Sequence, residues 1–450
     1  MINAALQAAD PAAAVRSHLR REDHTLSLGP AERAYHYDLR RGRVFIVAAG
    51  KAALPMAHAT LEQLQGEIAG GVIIGKQSKP GVPRSYRAQV GRRGTTVIFF
   101  EAGHPVPDES SVRASIAVTD LLEKSDADDL VLCLLSGGAS ALLTRPQLPL
   151  AEWQQLTNAL LASGCTIDEL NAVRKQLDQI KGGGLARLAA PSAVVSLLLS
   201  DVVGNRLDVI ASGPTAPNRS SPAEALTVLH RYQIAERVPP ESWDLIAYHL
   251  TNVRTATSLT RFERMEVINI IVADVRTAAE AAVEAARSSG WETQLLTVHL
   301  EGEAREVGRV AAAIGRDLEP GRCLVLGGET TVTVRGEGSG GRNQELALSM
   351  ALHLEDAHDH EPPAKKRVVA ATFATDGEDG ETGAAGAVVS NRTATQARKA
   401  ALDPQIFLDA NDSHTFFRTL EERTGERFLL RSGSTGTNVN DLLFIFRYSD

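Results

Sequence analysis

Short, continuous apolar runs alternate with helix-like segments along this chain, and no other feature constrains its fold as strongly. The runs in the first half occupy residues 43–50, 70–75, 95–103, 130–140 and 192–204. Amphipathic segments such as 110–125 and 151–161 separate several of them. Continuous apolar strands between amphipathic helices are typical of a parallel sheet that is covered on both faces. The sequence therefore predicts an α/β fold.

A second alternation of the same kind fills the C-terminal part of the chain. Its strand-like runs occupy residues 266–274, 293–300, 323–329 and 368–377, followed by a last run at the C-terminus. Residues 206–261 are rich in proline and polar residues and are interpreted as helices plus a linker, and the charged stretch 353–367 as an exposed loop. Because 450 residues exceed one ordinary core, we predict an N-terminal domain over 1–255 and a C-terminal domain over 256–450.

Charge and cysteine usage narrow the class of protein. The net charge of −8 argues against a nucleic-acid-binding surface. No apolar run reaches membrane-spanning length, so we expect no membrane partner. Cys133, Cys165 and Cys323 have neither disulfide nor metal-ligand spacing, and we interpret them as buried thiols of a protein in the reducing cytoplasm. An anionic substrate would then require local positive charge from particular Lys and Arg residues.

Residues 326–345, LGGETTVTVRGEGSGGRNQE, combine two glycine-rich stretches with a short β-like run at 332–334. The second stretch leads through Arg342 and Asn343 into a helix-like run that begins at Glu345. Glycine lets a backbone approach an oxyanion closely, and bare N–H groups at a helix start favour negative charge. The arginine adds a planar fork suited to carboxylate or phosphate. The segment therefore predicts a site for a small anion.

Polar residues accompany glycine at the ends of several predicted strands, where α/β sheets collect their ligands. Lys51 is placed to meet a phosphate held by backbone N–H groups, although an ordinary surface lysine on a βα turn is the simpler alternative. His104 suits acid–base or ligand-binding work as well as a loop-stabilising role. The stretch LSGGAS at 135–140 forms either a nest for carboxylate or phosphate or a plain glycine-rich turn.

Further charged residues point to the same kind of site. Arg174 and Lys181 lie on a basic helix that runs into three glycines, and they line either an anionic site or a solvated helix face. Asp201 ends a strand, where carboxylates hold Mg²⁺ through water or orient a hydroxyl. Asp376 lies in an acidic glycine-rich segment that is either a Mg²⁺ or hydroxyl site or an exposed turn. Residues 434–443 suit loop and strand-cap roles before the last strand.

Taken in order, these segments resemble one known family. The matching motifs are GKAA at 50–53, GHPVPDESS at 103–111, LSGGASALL at 135–143, LNAVRKQLDQIKGGGLA at 170–186, LSDVVGNRLDVIASGPT at 199–215, GEAREVG at 302–308, GGETTVTVRGEGSGGRNQELAL at 327–348, ATDGEDGETGAAGAVV at 374–389 and TGTNVNDL at 435–442. Together they are similar to the class II glycerate 2-kinases. The resemblance implies a larger N-terminal domain with a Rossmann-like layered sheet, a smaller C-terminal domain that includes a MOFRL region at about 320–445, and an active site in the cleft between them.

The resemblance also implies a reaction, which is the Mg²⁺-assisted transfer of the γ-phosphoryl group of ATP to the 2-hydroxyl of D-glycerate. Lys51 and Arg342 match the positions at which the family handles the transferring phosphoryl group. We interpret Asp201 as the group that deprotonates or orients the hydroxyl, and Glu329 or Asp376 as the Mg²⁺ ligand. The residues predicted to bind D-glycerate or the nucleotide are Ser136, Gly137, Gly138, Ser140, His104, Arg174, Lys181, Gly328, Asn343 and Glu345.

An NAD(P)H-dependent hydroxypyruvate reductase is the alternative activity, because relatives of this family have carried that label. Such an enzyme should show a G-x-G-x-x-G turn after an early strand, with an acidic residue about twenty positions further on. The nearest stretch, GEGSGG, has glycines at 336, 338, 340 and 341, without the required third spacing. A non-catalytic sensor of sugar acids or nucleotides is a third hypothesis. For the oligomeric state, the sequence is compatible with a homodimer.

Overall fold

The structure is a computed structural model that describes residues 1–77, 85–91, 94–252, 262–355 and 367–448. The chain divides into two compact units. One is Pro11–Val272, and the other combines Met1–Asp10 with Ala273–Asp450. The predicted domain boundary at 255/256 lies outside the described residues and stays a prediction, and most of the predicted loop at 353–367 lies outside them as well.

The Pro11–Val272 unit is built around a sheet whose strands follow the predicted apolar runs. The described strands of this part of the chain, which form two sheets, are β1 (Leu19–Glu22), β2 (Thr25–Leu28), β3 (Tyr35–Asp38), β4 (Val44–Ala49), β5 (Gly70–Lys76), β6 (Ser85–Val90), β7 (Thr95–Ala102), β8 (Leu130–Leu135), β9 (Ala193–Leu199) and β10 (Val267–Ala273). Among the described residues, β1 to β3 form a small antiparallel sheet, and the other seven form a sheet of order β10-β9-β8-β4-β5-β7-β6. Strands β4, β5, β7, β8 and β9 pair in parallel, which confirms the predicted parallel sheet.

The order of these strands reverses between β4 and β8. From β4 the chain proceeds outward through β5 to β7, and it then returns to place β8 on the other side of β4. All residues of β4 and β8 are buried, as expected for central strands with helices on their faces. In open α/β sheets, ligands bind at the carboxyl ends of strands where the order reverses. The loops after β4 and β8 therefore lie at the expected position of a site.

Helices connect and cover these strands. Helix α1 (Ile2–Ala8) belongs to the second unit. In the described chain from residue 11 to residue 252, the α-helices are α2 (Pro11–His18), α3 (Ala53–Gln63), α4 (Glu109–Leu122), α5 (Ala139–Leu142), α6 (Leu150–Leu161), α7 (Ile167–Leu177), α8 (Gly184–Ala189), α9 (Pro222–Arg231) and α10 (Pro240–Thr251). Helix α4 begins at a capping box in which Asp108 and Ser111 each accept the backbone N–H of the other.

The second unit contains a mixed sheet. Its strands and helices are α11 (Val275–Ser288), β11 (Glu292–Glu303), α12 (Ala304–Asp317), β12 (Arg322–Thr331), α13 (Arg342–Leu354), β13 (Val368–Ala374), β14 (Gly386–Ser390), α14 (Thr393–Lys399), α15 (Pro404–Asp409), α16 (Ser413–Thr424), β15 (Leu429–Leu430) and β16 (Asp441–Arg447). In the described chain the order is β11-β12-β16-β13-β14-β15. Strand β16 is antiparallel to both β12 and β13, so the carboxyl ends of β12 and β13 meet the start of β16 at one edge.

Two interpretations of single runs are wrong. The run at 266–274 was placed at the start of the second alternation, but it forms β10 at the edge of the first sheet. The run at 332–334 is not a strand, because β12 ends at Thr331 and the next residues turn away from the ladder. There the backbone N–H of Thr333 donates to the side-chain carboxylate of Glu303, the last residue of β11, over 2.9 Å instead of to a backbone carbonyl oxygen of the sheet.

The cysteine interpretation holds for two thiols. Cys133 in β8 and Cys323 in β12 are buried, and burial raises the pKa of each thiol to about 12. Cys165 is only half-buried. Within the described ranges, no helix combines the length and apolarity that a membrane crossing requires.

Candidate active site

The loops after β4 and β8 are hydrogen-bonded to each other where the strand order reverses. The backbone N–H of Lys51 donates to the carbonyl oxygen of Gly137 over 2.8 Å. The next N–H, that of Ala52, donates to the hydroxyl of Ser136 over 3.0 Å. Ser136 is fully buried, so its hydroxyl holds the turn that carries Lys51. The structure thus places Lys51 and Ser136 together at the ligand-binding position of the first sheet.

Gly137 and Gly138 let other predicted side chains approach this loop. A Cβ built on Gly137 would lie 1.9 Å from Oδ2 of Asp201, so this carboxylate reaches the loop only because the residue is glycine. Gly138 has a φ of +84°, which glycine adopts without strain. A Cβ there would lie 3.2 Å from Nε2 of His104 and 3.3 Å from Cγ of Lys51. Segments that are distant in sequence therefore meet at one loop.

His104 lies beside two lysines and is partly buried. Burial and the positive charges of Lys51 and Lys76 lower the pKa of its imidazole to about 4. The ring is therefore neutral near pH 7, with one nitrogen as a donor and the other as an acceptor. It can hydrogen-bond a hydroxyl or an oxyanion, but it adds no positive charge.

Ser140, which is half-buried, belongs to a hydrogen-bonded chain of hydroxyl and amide groups. Oγ of Ser212 lies 2.9 Å from Oγ of Ser140 and 2.8 Å from Oδ1 of Asn171. Ala211, Ser212 and Gly213 have successive φ values of 53°, 61° and 65°. For the two residues with a Cβ, this conformation costs about 1–3 kcal/mol each, and such strain clusters at functional sites. The strained backbone places the Ser212 hydroxyl against Ser140 and Asn171.

Arg174 and Lys181 are buried, so the solvated helix face considered for them is wrong. Nζ of Lys181 lies 3.2 Å from Oδ2 of Asp178 and donates to the carbonyl oxygen of Leu143 over 3.1 Å. Nε of Arg174 is buried without a hydrogen-bond partner in the described part of the chain. Burial lowers the pKa of both cations, and the charge of Asp178 opposes this effect. Within the part of the chain that the structure describes, Nζ of Lys181 therefore has structural partners and Nε of Arg174 has none.

In the second unit, two carboxylates hold Arg342, the first residue of α13. Nε of Arg342 lies 2.6 Å from Oδ2 of Asp441, and Nη1 lies 2.5 Å from Oε1 of Glu329. Nδ2 of Asn440 donates to the other oxygen of Glu329 over 2.9 Å. Both oxygens of Glu329, a predicted Mg²⁺ ligand, are therefore engaged by protein donors.

The charges of this cluster are strongly coupled. Burial alone lowers the pKa of Arg342, but the carboxylates of Asp441 and Glu329 outweigh burial and raise it. Burial raises the pKa of Asp441 to about 7, assisted by the carboxylates of Glu329 and Asp379 and opposed by Arg342. Arg342 therefore stays charged at every accessible pH, whereas Asp441 titrates near neutrality.

The start of helix α13 is not bare, which corrects the sequence-based prediction. The carboxylate of Asp379 accepts the backbone N–H of Asn343 over 2.9 Å and that of Gln344 over 2.8 Å. Nδ2 of Asn343, a predicted ligand-binding group, lies 3.3 Å from the same carboxylate. An anionic side chain at a helix N-terminus satisfies orphan donors and complements the helix dipole. The protein itself supplies the negative charge that was expected from a ligand.

Glu345 also has protein partners. Its carboxylate is buried, and its oxygens lie 3.2 Å from Nε of Arg305 and 2.8 Å from Nδ2 of Asn411. Oδ1 of Asn411 accepts the backbone N–H of Arg335 over 2.7 Å. Asn411 therefore ties the glycine-rich loop before α13 to the helix itself.

The glycines between β12 and α13 serve close packing. A Cβ on Gly336, Gly338 or Gly340 would lie 2.2–2.4 Å from atoms of residues 410–413. Gly328, a predicted binding residue, lies within β12, where a Cβ would come 2.1 Å from a carbonyl oxygen of β11. These contacts explain why the sequence has glycine at these positions without a dinucleotide pyrophosphate.

A cavity of about 520 Å³ opens beside Arg342 in the second unit. Asp376, Glu378 and Thr331 are among the residues that line it. Oδ1 of Asp376, just after β13, accepts the backbone N–H of Glu378 over 3.1 Å. Asp376 therefore lies where a small polar ligand or cation could reach it.

Sequence reasoning did not single out some residues that shape this site. Asp379 lies in the acidic glycine-rich segment that was interpreted as a Mg²⁺ or hydroxyl site or an exposed turn, and Asp441 in a segment that was interpreted as a loop or strand cap, but neither was predicted as a site residue. The adjacent pair Asn440 and Asp441, at the start of a buried strand, was a usable signal because buried polar groups require partners. Asn411 lies in an ordinary stretch between two short helices, and its sequence context carries no comparable signal.

Two family models match the chain. Residues 1–247 match a domain of unknown function (DUF4147), and residues 322–441 match the MOFRL family. A D-glycerate 2-kinase of Thermotoga maritima is 39% identical over 416 residues, which cover 90% of this chain and 91% of that protein. A putative hydroxypyruvate reductase of Agrobacterium vitis is 37% identical over 414 residues, covering 89% and 98% of the two chains. The crystal structure of a glycerate kinase from Thermotoga maritima superposes with a TM-score of 0.78 at 36% identity, covering 99% of this chain and 97% of that one.

Proposed function

Because this chain belongs to the glycerate kinase family, we propose that it transfers the γ-phosphoryl group of ATP to the 2-hydroxyl of D-glycerate, with 2-phosphoglycerate and ADP as products. The observation that carries the proposal is the hydrogen-bonded pair of loops after β4 and β8, with the Lys51 N–H on the Gly137 carbonyl. It sets an ammonium-bearing turn beside a glycine-rich loop at the ligand-binding position of the sheet. Phosphoryl transfer depends mainly on alignment and charge neutralisation, which this arrangement supplies.

Lys51 is proposed to neutralise the transferring phosphoryl group. Its turn is fixed by two hydrogen bonds to the loop after β8. A charge-stabilising donor of this kind contributes about 10²–10³ in rate. Gly137, Gly138 and Ser136 are proposed to bind the nucleotide phosphates or the D-glycerate carboxylate.

Asp201 is proposed to orient or deprotonate the 2-hydroxyl of the substrate. The absence of a side chain on Gly137 lets its carboxylate reach the loop that neighbours Lys51. His104, neutral because its pKa lies at about 4, is proposed to hydrogen-bond the substrate and not to act as a cation. In this proposal Asp201 acts on the proton of the substrate hydroxyl, and His104 positions the substrate.

Arg342 is proposed to stabilise the equatorial phosphoryl oxygens. Three of its N–H groups donate to Asp441 and Glu329. A guanidinium has five N–H donors, so two remain for a ligand once the hydrogen bonds among the described residues are counted. Its side chain is 33% exposed, which leaves these donors accessible. The expectation that the active site lies in a cleft between two domains stays a prediction.

Mg²⁺ fits one of its two predicted ligands better than the other. Glu329 has both oxygens engaged by Arg342 and Asn440. Asp376 lines the cavity beside Arg342. Since Mg²⁺ is commonly held by one or two carboxylates together with substrate phosphates, we propose Asp376 as the protein ligand. When bound, the ion would neutralise phosphate charge and orient the donor nucleotide.

The alternative activity is supported by one relative that is named a putative hydroxypyruvate reductase. The glycines at 336, 338, 340 and 341, which come nearest to a dinucleotide fingerprint, pack against residues 379 and 410–413. This packing favours the kinase. We further propose that the reaction takes place in the cytoplasm.

One experiment decides between these functions. The purified protein is incubated with D-glycerate, ATP and Mg²⁺, and the products are identified by phosphorus NMR. We expect 2-phosphoglycerate and ADP. A 3-phosphoglycerate product would retain the kinase but refute the 2-hydroxyl as acceptor. Consumption of NAD(P)H with hydroxypyruvate, without phosphorylation of D-glycerate, would establish the reductase instead.

A further inference from the structure

Arg174 and Asn171 bear buried donors without hydrogen-bond partners in the described residues. These donors are Nε of Arg174 and Nδ2 of Asn171. Arg174 is 7% exposed and Asn171 is 2% exposed. A buried polar group without a partner is costly, and a buried charge more so. Such groups therefore require an explanation, and binding of a ligand is one.

The two donors lie on one face of helix α7. Residues 171 and 174 are three positions apart, a spacing that places side chains on the same side of a helix. The adjoining face, with Leu170, Val173 and Leu177, is packed into an apolar core. Arg174 and Asn171 are thus on a distinct polar face of the helix.

The neighbouring carboxylate of Asp178 compensates the charge of Arg174 only in part. Asp178 accepts the backbone N–H groups of Arg145 and Ile180 over 3.1 and 2.8 Å, and the hydroxyl of Thr144. Its charge is already paired with Lys181, 3.2 Å away. Arg174 and Lys181 thus share the single negative charge of Asp178, and this group of three side chains carries a net positive charge.

Asn171 is oriented by its other neighbours. Oγ of Ser212 lies 2.8 Å from Oδ1 of Asn171 and 2.9 Å from Oγ of Ser140. Since a hydroxyl has one proton, Ser212 donates to Asn171 and accepts from Ser140. The acceptor end of the amide is therefore used, and the donor end, Nδ2, is directed away from Ser212. Ser140 connects this series of hydrogen-bonded side chains to the loop after β8, which also bears Gly137 and Gly138.

We propose that Arg174 and Asn171 bind the oxyanion of a substrate, for which the carboxylate of D-glycerate is the first candidate, and that Ser212 is a positioning residue for Asn171. A guanidinium and an amide NH₂ group are donors that match the oxygens of a carboxylate. A nucleotide phosphate has the same chemistry, so the experiment separates the two sources. The identity of the anion rests on the proposed function, whereas the oxyanion site itself does not.

The test uses Arg174→Met and Asn171→Asp in the full-length protein. Methionine removes the buried charge and keeps much of the volume. Aspartate keeps the acceptor for Ser212 and replaces the donor with a negative charge beside Arg174. For each variant, KM for D-glycerate, KM for ATP, kcat and the melting temperature with and without each substrate are measured. Arg231→Met is the matched control, because Arg231 is a surface arginine of α9 that pairs with Glu169 of α7, the helix that bears Arg174.

We expect KM for D-glycerate to rise about 10- to 100-fold in both variants, with a smaller change in kcat, because charge-assisted hydrogen bonds to the substrate are lost. Without substrate, Arg174→Met should melt no lower than the wild type, since a buried unpaired charge is removed. A purely structural arginine would instead lower the melting temperature and leave KM unchanged. The control should keep both KM values.

The remaining outcomes are equally decisive. A rise in KM for ATP alone would assign the oxyanion to a nucleotide phosphate. If Arg174→Met does not fold, Asn171→Asp decides, and wild-type KM values for both substrates in that variant overturn the proposal. If the wild-type protein does not phosphorylate D-glycerate, the proposed function fails. Thermal stabilisation by D-glycerate or by inorganic phosphate then tests the site alone, and equal stabilisation of wild type and Arg174→Met overturns it.

Discussion

The guanidinium of Arg342 makes a bidentate contact with the carboxylate of Asp441, with Nε 2.6 Å from Oδ2 and Nη2 3.2 Å from Oδ1. The two residues are 99 positions apart and come from the first turn of a helix and the first residue of a strand. A two-point contact fixes the plane of the guanidinium as well as its position. The remaining donors of Arg342 are thereby aimed in a defined direction.

Arg342→Ala should lower kcat/KM for D-glycerate phosphorylation by about 10²–10³, because one charge-stabilising donor is removed. Steady-state kinetics measures this effect, and circular dichroism checks that the fold is kept. Arg309→Ala is the control, since Arg309 is an exposed arginine of α12. Equal activity in both variants would remove Arg342 from the proposed mechanism.

Gly137→Ala should abolish most of the activity, because its Cβ would lie 1.9 Å from Oδ2 of Asp201 and displace that carboxylate. Gly75→Ala is the matched control, since a Cβ at Gly75 meets nothing within 4 Å. The comparison is made by turnover rate under saturating substrates. Wild-type turnover in Gly137→Ala would mean that the position of Asp201 does not matter.

Asp379→Asn should lower the free energy of unfolding by about 1–3 kcal/mol, because an amide accepts through only one of its two ends and leaves a buried N–H of α13 without a partner. Urea unfolding measures the change. Asp403→Asn is the control: Asp403 caps the N-terminus of α15, where asparagine is an equally good cap. A loss of the same size in both variants would contradict the special role of the Asp379 carboxylate.

His104 should remain neutral until the pH approaches about 4, the value to which burial, Lys51 and Lys76 lower its pKa from 6.5. A group whose pKa is lowered by folding contributes stability above its unfolded pKa, and this contribution is lost as the pH falls through the folded pKa. The stability difference between wild type and His104→Gln should therefore shrink as the pH falls from 6.5 to 4. NMR titration of the imidazole checks the pKa directly. An imidazole that titrates near 6.5 would refute the prediction.

The sequence allowed the prediction of the parallel sheet of the first unit and of the strand ends that carry Lys51 and Ser136, because continuous apolar runs and terminal glycines are local signals. The run 266–274 was assigned to the wrong sheet, because the sequence of an apolar edge strand does not indicate which of the two sheets it joins. It also took the N–H groups at the start of α13 as available to a ligand. Nothing local indicates that Asp379, 36 positions from Asn343, accepts one of them.

By itself, then, the amino-acid order determined most of the central strands and where polar residues follow them, because both depend on periodicity within about ten residues. Only the tertiary structure decided which of those polar groups already have protein partners. Glu329, Asn343 and Glu345 are engaged by the chain itself, whereas the Nε of Arg174 finds no partner in the described residues. The physical reason is that a hydrogen bond depends on which distant residue folds into reach.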